Sequence, residues 1–269
     1  STARSEFLPI SSTVAYSKPN VYFFMLDAYS RSDELAKLDI DNDYFINQLI
    51  DNDFVVAMES TSNFMSTPYS LQAMYSMDYP ELLINDVSFR NQILLGNNSV
   101  VNNFKILGYQ HIRMGPNQAT VTDCSGKEDL CLFRLNDLDG NAAGTGSIYT
   151  EIIKMSPLYS ILSRMFPERF YRNVYKKSTI GDAHVAWKKI HRQIESPFFL
   201  EINVWQPHAP YLLNKECGPV VKILEYNKEN LKKDNPNFRT AVRHYEGEVH
   251  CVNKQILSLL KFIDENDPD

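Results

Sequence analysis

The stretch "SNFMSTPYSLQAMYS" (62–76) carries two hydroxyls, Ser66 and Thr67, directly before Pro68 and an apolar run. A Ser or Thr followed by Pro is the ordinary N-cap and first residue of a helix. The same placement suits a nucleophile, because a helix N-terminus offers N–H groups and a positive dipole end to an anionic ester. Two further polar residues stand where such a hydroxyl needs help. Asp27 closes the apolar run "VYFFML", and His208 lies just beyond "PFFLEINVW". A carboxylate there can hold a divalent metal, which lowers the pKa of a bound hydroxyl and polarises a phosphoryl or sulfuryl oxygen. An imidazole can bind the ester oxygens or protonate the leaving group. Singly, each has a plainer reading, as a turn former, a helix cap or a loop histidine between prolines. Together, at the ends of three expected strands, they make a coherent site for ester chemistry.

The elements that must position them follow from apolar periodicity. "NVYFFML" is a continuous apolar run, the pattern of a strand covered on both faces, and it ends at Asp27. Short strands are expected at "FVVAM" (54–58) and across 198–204, the latter running into a loop at Pro207. Helices are expected from Ser32, over 42–53 and over 68–77. "SVVNNFKILGYQHIRMG" reads as helix, Gly108 stop, then strand. Residues 115–150 read as loop-rich, and "PLYSILSRMFPERFYRNVY" as helical with an interruption at Pro167. "GDAHVAWKKIHRQIES" reads as a helix with Asp182 as its start signal. From 239 to 264, Val242, Tyr245, Val249, Val252, Ile256, Leu259 and Ile263 recur at three- and four-residue steps, the stripe of a long amphipathic helix. Strands alternating with helices predict an α/β fold with a mostly parallel central sheet flanked by helices. In such sheets ligands bind beyond the carboxyl ends of the strands, where Asp27, Thr67 and His208 fall.

A chain of 269 residues fits one large α/β domain or two small ones. We divide it into an N-terminal extension, 1–17, and one α/β domain, 18–269. The net charge of −6, with no Lys/Arg cluster, argues against a nucleic-acid binder. No apolar run reaches membrane-spanning length, so any membrane tether would lie outside this chain. It opens without Met and without a visible signal peptide, which reads as a mature product or an excised soluble segment. Cys124 and Cys131 bracket the short polar loop "CSGKEDLC", a spacing that suits a local disulfide, and Cys217 and Cys251 remain for a second. Reduced, buried cysteines are the alternative. Disulfides would place the chain in an oxidising compartment such as a periplasm.

Other features read as structural. His184 and His191 share a helix face with Trp187 and Lys188, a packed or solvated face in preference to a metal site. His244 and His250 lie off the apolar stripe of the last helix, as surface or rim residues. "DLDGNAAGTG" has neither the spacing nor the Lys of a phosphate-binding loop. Asp41 with Asp43, and Asp51 with Asp53, decorate helix ends.

The ordered set "PNVYFFMLDAYSRSDEL", "SNFMSTPYSLQAMYSM", "FFLEINVWQPHAPY" and "YEGEVHCVNKQILSLLKFIDE" resembles the sulfatase-like branch of the alkaline phosphatase superfamily, nearly throughout from Lys18. That branch covers sulfatases and the phosphoglycerol and phosphoethanolamine transferases of bacterial envelopes. The resemblance implies an alkaline-phosphatase-like fold with Asp27 as a metal ligand. Thr67, Ser70, Met74, Tyr75 and Ser76 match T-x-x-S-x-x-x-M-[FY]-S, which makes Thr67 the nucleophile and a second metal ligand. His208, Pro210 and Tyr211 match H-x-P-[FY], which makes His208 a substrate-side imidazole. Arg31, Asn63 and Ser66 become substrate-binding candidates. The sulfatase pattern C-x-P-S-R would instead put the nucleophile at Ser66, but its Arg is missing here, so the transferase-like alignment is preferred.

The resemblance implies a divalent metal (Zn, Mn, Ca or Mg) and a phosphate- or sulfate-ester substrate on a cell-envelope lipid or glycan. It also implies a place on the periplasmic or extracellular side of a bacterial membrane. The family continues with a strand ending in Asp-His-Gly, two further metal ligands, and no "DHG" occurs here. The expectation is therefore a fold whose C-terminal part is missing and a chain that alone lacks a complete metal site. The rival reading is a catalytically inactive binding or assembly module on the same fold.

Overall fold

The computed structural model describes residues 18–78, 87–115, 124, 126–133, 161, 165, 179–220 and 232–267. The extension 1–17, the Gly-rich stretch and, apart from Ile161 and Met165, the stretch expected to be an aromatic helix around Pro167 lie outside the described residues. Four strands, β1 (Val21–Leu26), β2 (Gln110–Gly115), β3 (Leu130–Phe133) and β4 (Phe198–Val204), form one sheet in the order β1-β4-β2-β3. All pairings are parallel, with Leu26 opposite Val204 at the carboxyl ends of β1 and β4. The fold is thus mixed α/β, as the alternation of elements predicts.

The helices are α1 (Ser32–Ala36), α2 (Asp43–Asp51), α3 (Thr67–Ser76), α4 (Val87–Leu94), α5 (Ser99–Ile106), α6 (Ile180–Ile190) and α7 (Phe238–Asn266). Period-two alternation sends Phe198, Leu200, Ile202 and Val204 to one face of the sheet. There they pack with Trp187 of α6 and with Val252, Ile256 and Leu259 of α7. On the other face Phe199 packs with Val101, Phe23 and Phe104, and Met25 with Leu71 and Tyr75 of α3. β4 is buried along its whole length, which explains its unbroken apolar look.

Local chemistry sets the helix ends. Thr179 and Asp182 form a reciprocal capping box on α6, so Asp182 is its third residue and Thr179 the cap. Gly108, at φ +84°, ends α5 with a backbone that an L side chain rarely adopts, then releases the chain into β2. α7 approaches the loop after β4 closely at Gly247. A Cβ there would sit 3.1 Å from Asn214 Cα and from the Leu213 carbonyl oxygen.

Two expectations are corrected. Residues 54–58 are not a strand: they are irregular, ending in a turn, and Val55 is 98% exposed. An apolar run becomes a strand only where a neighbour can take its backbone hydrogen bonds, and none of the four strands pairs with it. Within the segment read as loop, Leu130–Phe133 does form an edge strand on β2. Cys124 and Cys131 are disulfide-bonded at its start, and Cys217 is bonded to Cys251, tying the loop after β4 to α7.

Candidate functional site

The carboxyl edge of the sheet gathers the candidate residues. Asp27 is the first residue beyond β1, and its N–H donates to the Val204 carbonyl at 3.2 Å, extending the β1–β4 ladder by one bond. Ala28 then turns the chain at φ 63°, a left-handed conformation that only tight local constraint holds in a non-glycine residue. That constraint comes from α7: the Tyr245 hydroxyl donates to the Ala28 carbonyl (2.9 Å) and accepts from the Ser30 N–H (3.1 Å). Burial is the main reason the Tyr245 hydroxyl has its pKa raised.

Thr67 opens α3, and its Oγ1 donates to Asp27 Oδ1 at 2.8 Å. The two half-buried side chains come from elements 40 residues apart, brought together at one sheet edge. Ser66 is the N-cap, but its side chain makes no capping bond. The first turn offers fewer donors than a free helix end. Pro68 has no N–H, and the Tyr69 and Ser70 N–H groups both donate to the Ser66 carbonyl at 3.1 Å. What remains for an anion is the Thr67 N–H and the dipole end. Asp27 already complements that dipole.

His208 lies four residues past Val204, in a loop with cis bonds at Gln206–Pro207 and Ala209–Pro210. Its ring stacks on Trp205, with centroids 5.4 Å apart, and its Nδ1 is 2.6 Å from the Ala209 carbonyl. Because a carbonyl oxygen only accepts, that contact is a donor bond that puts a proton on Nδ1. The loop is held by Glu248 of α7, fully buried. Glu248 accepts from the Leu212 N–H (2.6 Å), the Leu213 N–H (3.1 Å) and Gln206 Nε2 (3.1 Å). Thus α7 anchors both loops of the site, one through Tyr245 and one through Glu248.

The three substrate-binding candidates fare differently. Arg31 forms a bidentate pair with Asp33 (2.5 and 2.8 Å) and donates to the Ser60 carbonyl (2.9 Å). That pairing holds the Asp33 carboxyl down at about 2. Its role in the structure is to brace the loop that leads to α3. Asn63 lines a groove of about 500 Å³ beside α3, with Ser62, Ser70, Met74 and Met77 on its walls. Ser66 contributes its backbone carbonyl to the start of α3.

Below the site, sequence reasoning missed a buried polar network. Glu201 of β4 is fully buried and accepts from five donors. The Tyr75 hydroxyl and Asn203 Nδ2 (2.6 Å) meet one oxygen. Arg113 Nε and Nη2 (3.3 and 3.2 Å) and His111 Nε2 (3.3 Å) meet the other. Arg113 also bridges to Glu128 at 3.2 Å. Burial by itself would push the Glu201 carboxyl up; the His111 hydrogen bond, the Arg113 charge and the Tyr75 hydroxyl outweigh it and hold the carboxyl at about 2. Burial, reinforced by the Glu201 charge, pushes the Tyr75 hydroxyl well above its ordinary range. Tyr75 lies about 12 Å along α3 from Thr67 at the usual helical rise. The network therefore pins the far half of α3 while Asp27 holds its start. The available signal was a charge inside each of two apolar strand runs, "FFLEINV" and "QHIRMG".

The remaining histidines are structural in their surroundings. His184 is buried and, like His191, packs against Phe262, at ring-centroid distances of 5.4 and 4.9 Å. Desolvation, then the Lys188 charge, lowers the His184 pKa. Desolvation, then Arg243, lowers that of His244. His250 lies 3.8 Å from Glu246.

Asp27 and Thr67 offer one carboxylate and one hydroxyl oxygen. Among the described residues, no group of three or more His, Cys, Asp or Glu side chains is placed to hold a metal ion. Their side chains supply at most three oxygens, which do not fill the coordination shell of zinc, calcium or magnesium. No protein-family model, curated protein or solved structure matches this chain. The sulfatase-like resemblance rests on the motifs themselves.

Proposed function

We propose that the chain carries the nucleophile centre of a phosphate- or sulfate-ester hydrolase or transferase of the sulfatase-like, alkaline-phosphatase type, acting on an envelope lipid or glycan. The observation that supports this reading is the 2.8 Å hydrogen bond from Thr67 Oγ1 to Asp27 Oδ1 at a helix start beyond the sheet's carboxyl edge. A hydroxyl becomes a competent nucleophile when a neighbouring base orients it and accepts its proton. Thr67 Oγ would form the new bond to phosphorus or sulfur as the ester oxygen leaves. Its proton would pass to Asp27, and the Thr67 N–H and dipole end of α3 would face the developing negative charge. A protonated His208 would supply the leaving oxygen with its proton from Nε2. The metal implied by the resemblance belongs to this proposal only with ligands beyond the described residues.

The test is turnover of chromogenic phosphodiester and sulfate-ester substrates by the full-length protein with divalent metal present. Thr67→Ala should abolish turnover and any covalent adduct on this peptide, and Thr67→Ser should keep part of both. Undiminished turnover by Thr67→Ala would sink the assignment.

A second reading, the non-catalytic binding module, is favoured by one observation: Arg31, the guanidinium expected to bind substrate, is committed to Asp33 and Ser60. It predicts that ester analogues bind wild-type protein and Thr67→Ala alike, with no turnover by either.

A further inference from the structure

The seam between α3 and α4 holds polar groups that nothing in the chain satisfies. Gln72 is fully buried, yet neither its amide oxygen nor its amide nitrogen has a hydrogen-bond partner among the described residues. The Ser76 hydroxyl and Arg90 Nε are buried and equally bare. Buried polar atoms in folded proteins are satisfied with few exceptions, and each bare one costs stability. Such atoms on two facing helices mark a place where something else belongs.

Helical geometry shows that they share one space. At about 100° per residue, Gln72 and Ser76 fall between Tyr75 on one side and Tyr69 on the other around the axis of α3. Tyr75 clusters with Ile93 and Leu94 of α4, and the Arg90 guanidinium lies over the Tyr69 ring, 5.0 Å from its centroid. Gln72 is therefore aimed at α4, one turn along from the guanidinium. Arg90 is half-buried, so this end of the seam opens to solvent. No acid of either helix balances its charge, because "TPYSLQAMYS" and "VSFRNQIL" contain none, and Arg90 forms no ion pair among the described residues. Thr67 reaches Asp27 from another flank of α3, roughly 140° round from Gln72.

We propose that the α3–α4 seam binds a phosphate group, with the Arg90 guanidinium, the Gln72 amide and the Ser76 hydroxyl as its ligands. A guanidinium presents N–H donors in a fork that matches the oxygens of an oxyanion and supplies the opposite charge. The Gln72 amide nitrogen and the Ser76 hydroxyl can donate to further oxygens. The Gln72 amide oxygen only accepts, so it requires a ligand that also donates. Hydrogen phosphate has bare oxygens and a P–O–H; sulfate at neutral pH has no proton to give. A water would satisfy the amide but leave the guanidinium without a counter-charge. Free phosphate and the phosphate of a monoester share this chemistry. The site stands whether or not Thr67 is a nucleophile.

The experiment titrates inorganic phosphate, sulfate and glycerol phosphate into the full chain by calorimetry, in wild type and in Thr67→Ala, Arg90→Gln and Gln72→Leu. Circular dichroism confirms the fold of each variant. Arg90 is half-buried, so Arg90→Gln tests the proposal even if Gln72→Leu misfolds. The expected result is saturable phosphate binding by wild type and Thr67→Ala alike, weaker by about tenfold or more in Arg90→Gln and in Gln72→Leu. Sulfate should bind about tenfold more weakly than phosphate. Phosphate should also raise the Tm of wild type and leave that of Gln72→Leu unchanged. Glycerol phosphate that binds as tightly as phosphate identifies the occupant as a phosphomonoester group, and its exclusion identifies the free ion; both uphold the seam as a phosphate site. Absence of saturable phosphate binding overturns the proposal and leaves ordered water in the seam. Equal phosphate affinity in Arg90→Gln also overturns it, as does sulfate bound as tightly as phosphate. Binding lost in Thr67→Ala but kept in Arg90→Gln would assign the anion to the Asp27–Thr67 site and overturn it too.

Discussion

Replacing Glu201 with Gln should cost this fold about 3–5 kcal/mol at neutral pH. The magnitude follows from the site. The carboxyl is held at about 2 against an ordinary value of 4.5, with the side chain fully buried. At about 1.4 kcal/mol per pKa unit, that depression corresponds to roughly 3 kcal/mol. The substitution also turns one carboxylate oxygen into a donor among five donors and leaves Arg113 with Glu128 as its remaining acid partner. A depressed carboxyl contributes its stability above its unfolded value, and that stability is lost as pH falls through the folded value. Wild type should therefore lose about 3 kcal/mol between about pH 5 and pH 2 on this account. Glu201→Gln does not titrate, so the gap between the two proteins should close over the same window. Denaturant unfolding followed by circular dichroism at several pH values reads both effects. A loss below about 1 kcal/mol at pH 7, or a gap that stays constant down to pH 2, would refute the assignment of Glu201 as an ionised, network-held carboxylate.

Two further outcomes concern stability. Cys217→Ser should cost about 4 kcal/mol and Cys124→Ser about 2, because the first bridge closes a separation of 34 residues and the second one of 7; comparative unfolding under non-reducing conditions checks the order. Gly247→Ala should destabilise by roughly 1–3 kcal/mol, since the added Cβ meets backbone at 3.1 Å; a melting temperature unchanged from wild type would contradict that contact.

The sequence spoke clearly where burial imposes a period. The continuous apolar runs at β1 and β4 and the stripe of α7 were legible because both sheet faces and one helix face are covered. β3 was not, because four residues at a sheet edge leave too short a pattern and its pairing with β2 is a tertiary fact. The strand expected at 54–58 failed for the opposite reason: the apolar residues are there, but they face solvent. Asp27 and Thr67 do meet, though Thr67 arrives from a loop and a helix start, with no strand before it. The Glu201 network stayed hidden because a charge in a strand is ordinarily read as a solvent-facing position, and only packing shows that its partners come from β2 and α3.

The parallel pairing of β1 with β4 has a consequence for how the chain is made. Val21 lies opposite Phe199, so the two strands that frame Asp27 are about 180 residues apart along the polypeptide. On a ribosome, β1 leaves the exit tunnel early and waits for its partner through the synthesis of nearly everything in between. At about 5–20 residues per second, that wait runs from roughly ten seconds to over half a minute. For that interval the run "VYFFML" is an unpaired, uncharged ribbon, the kind of segment that chaperones bind and that aggregates when they do not.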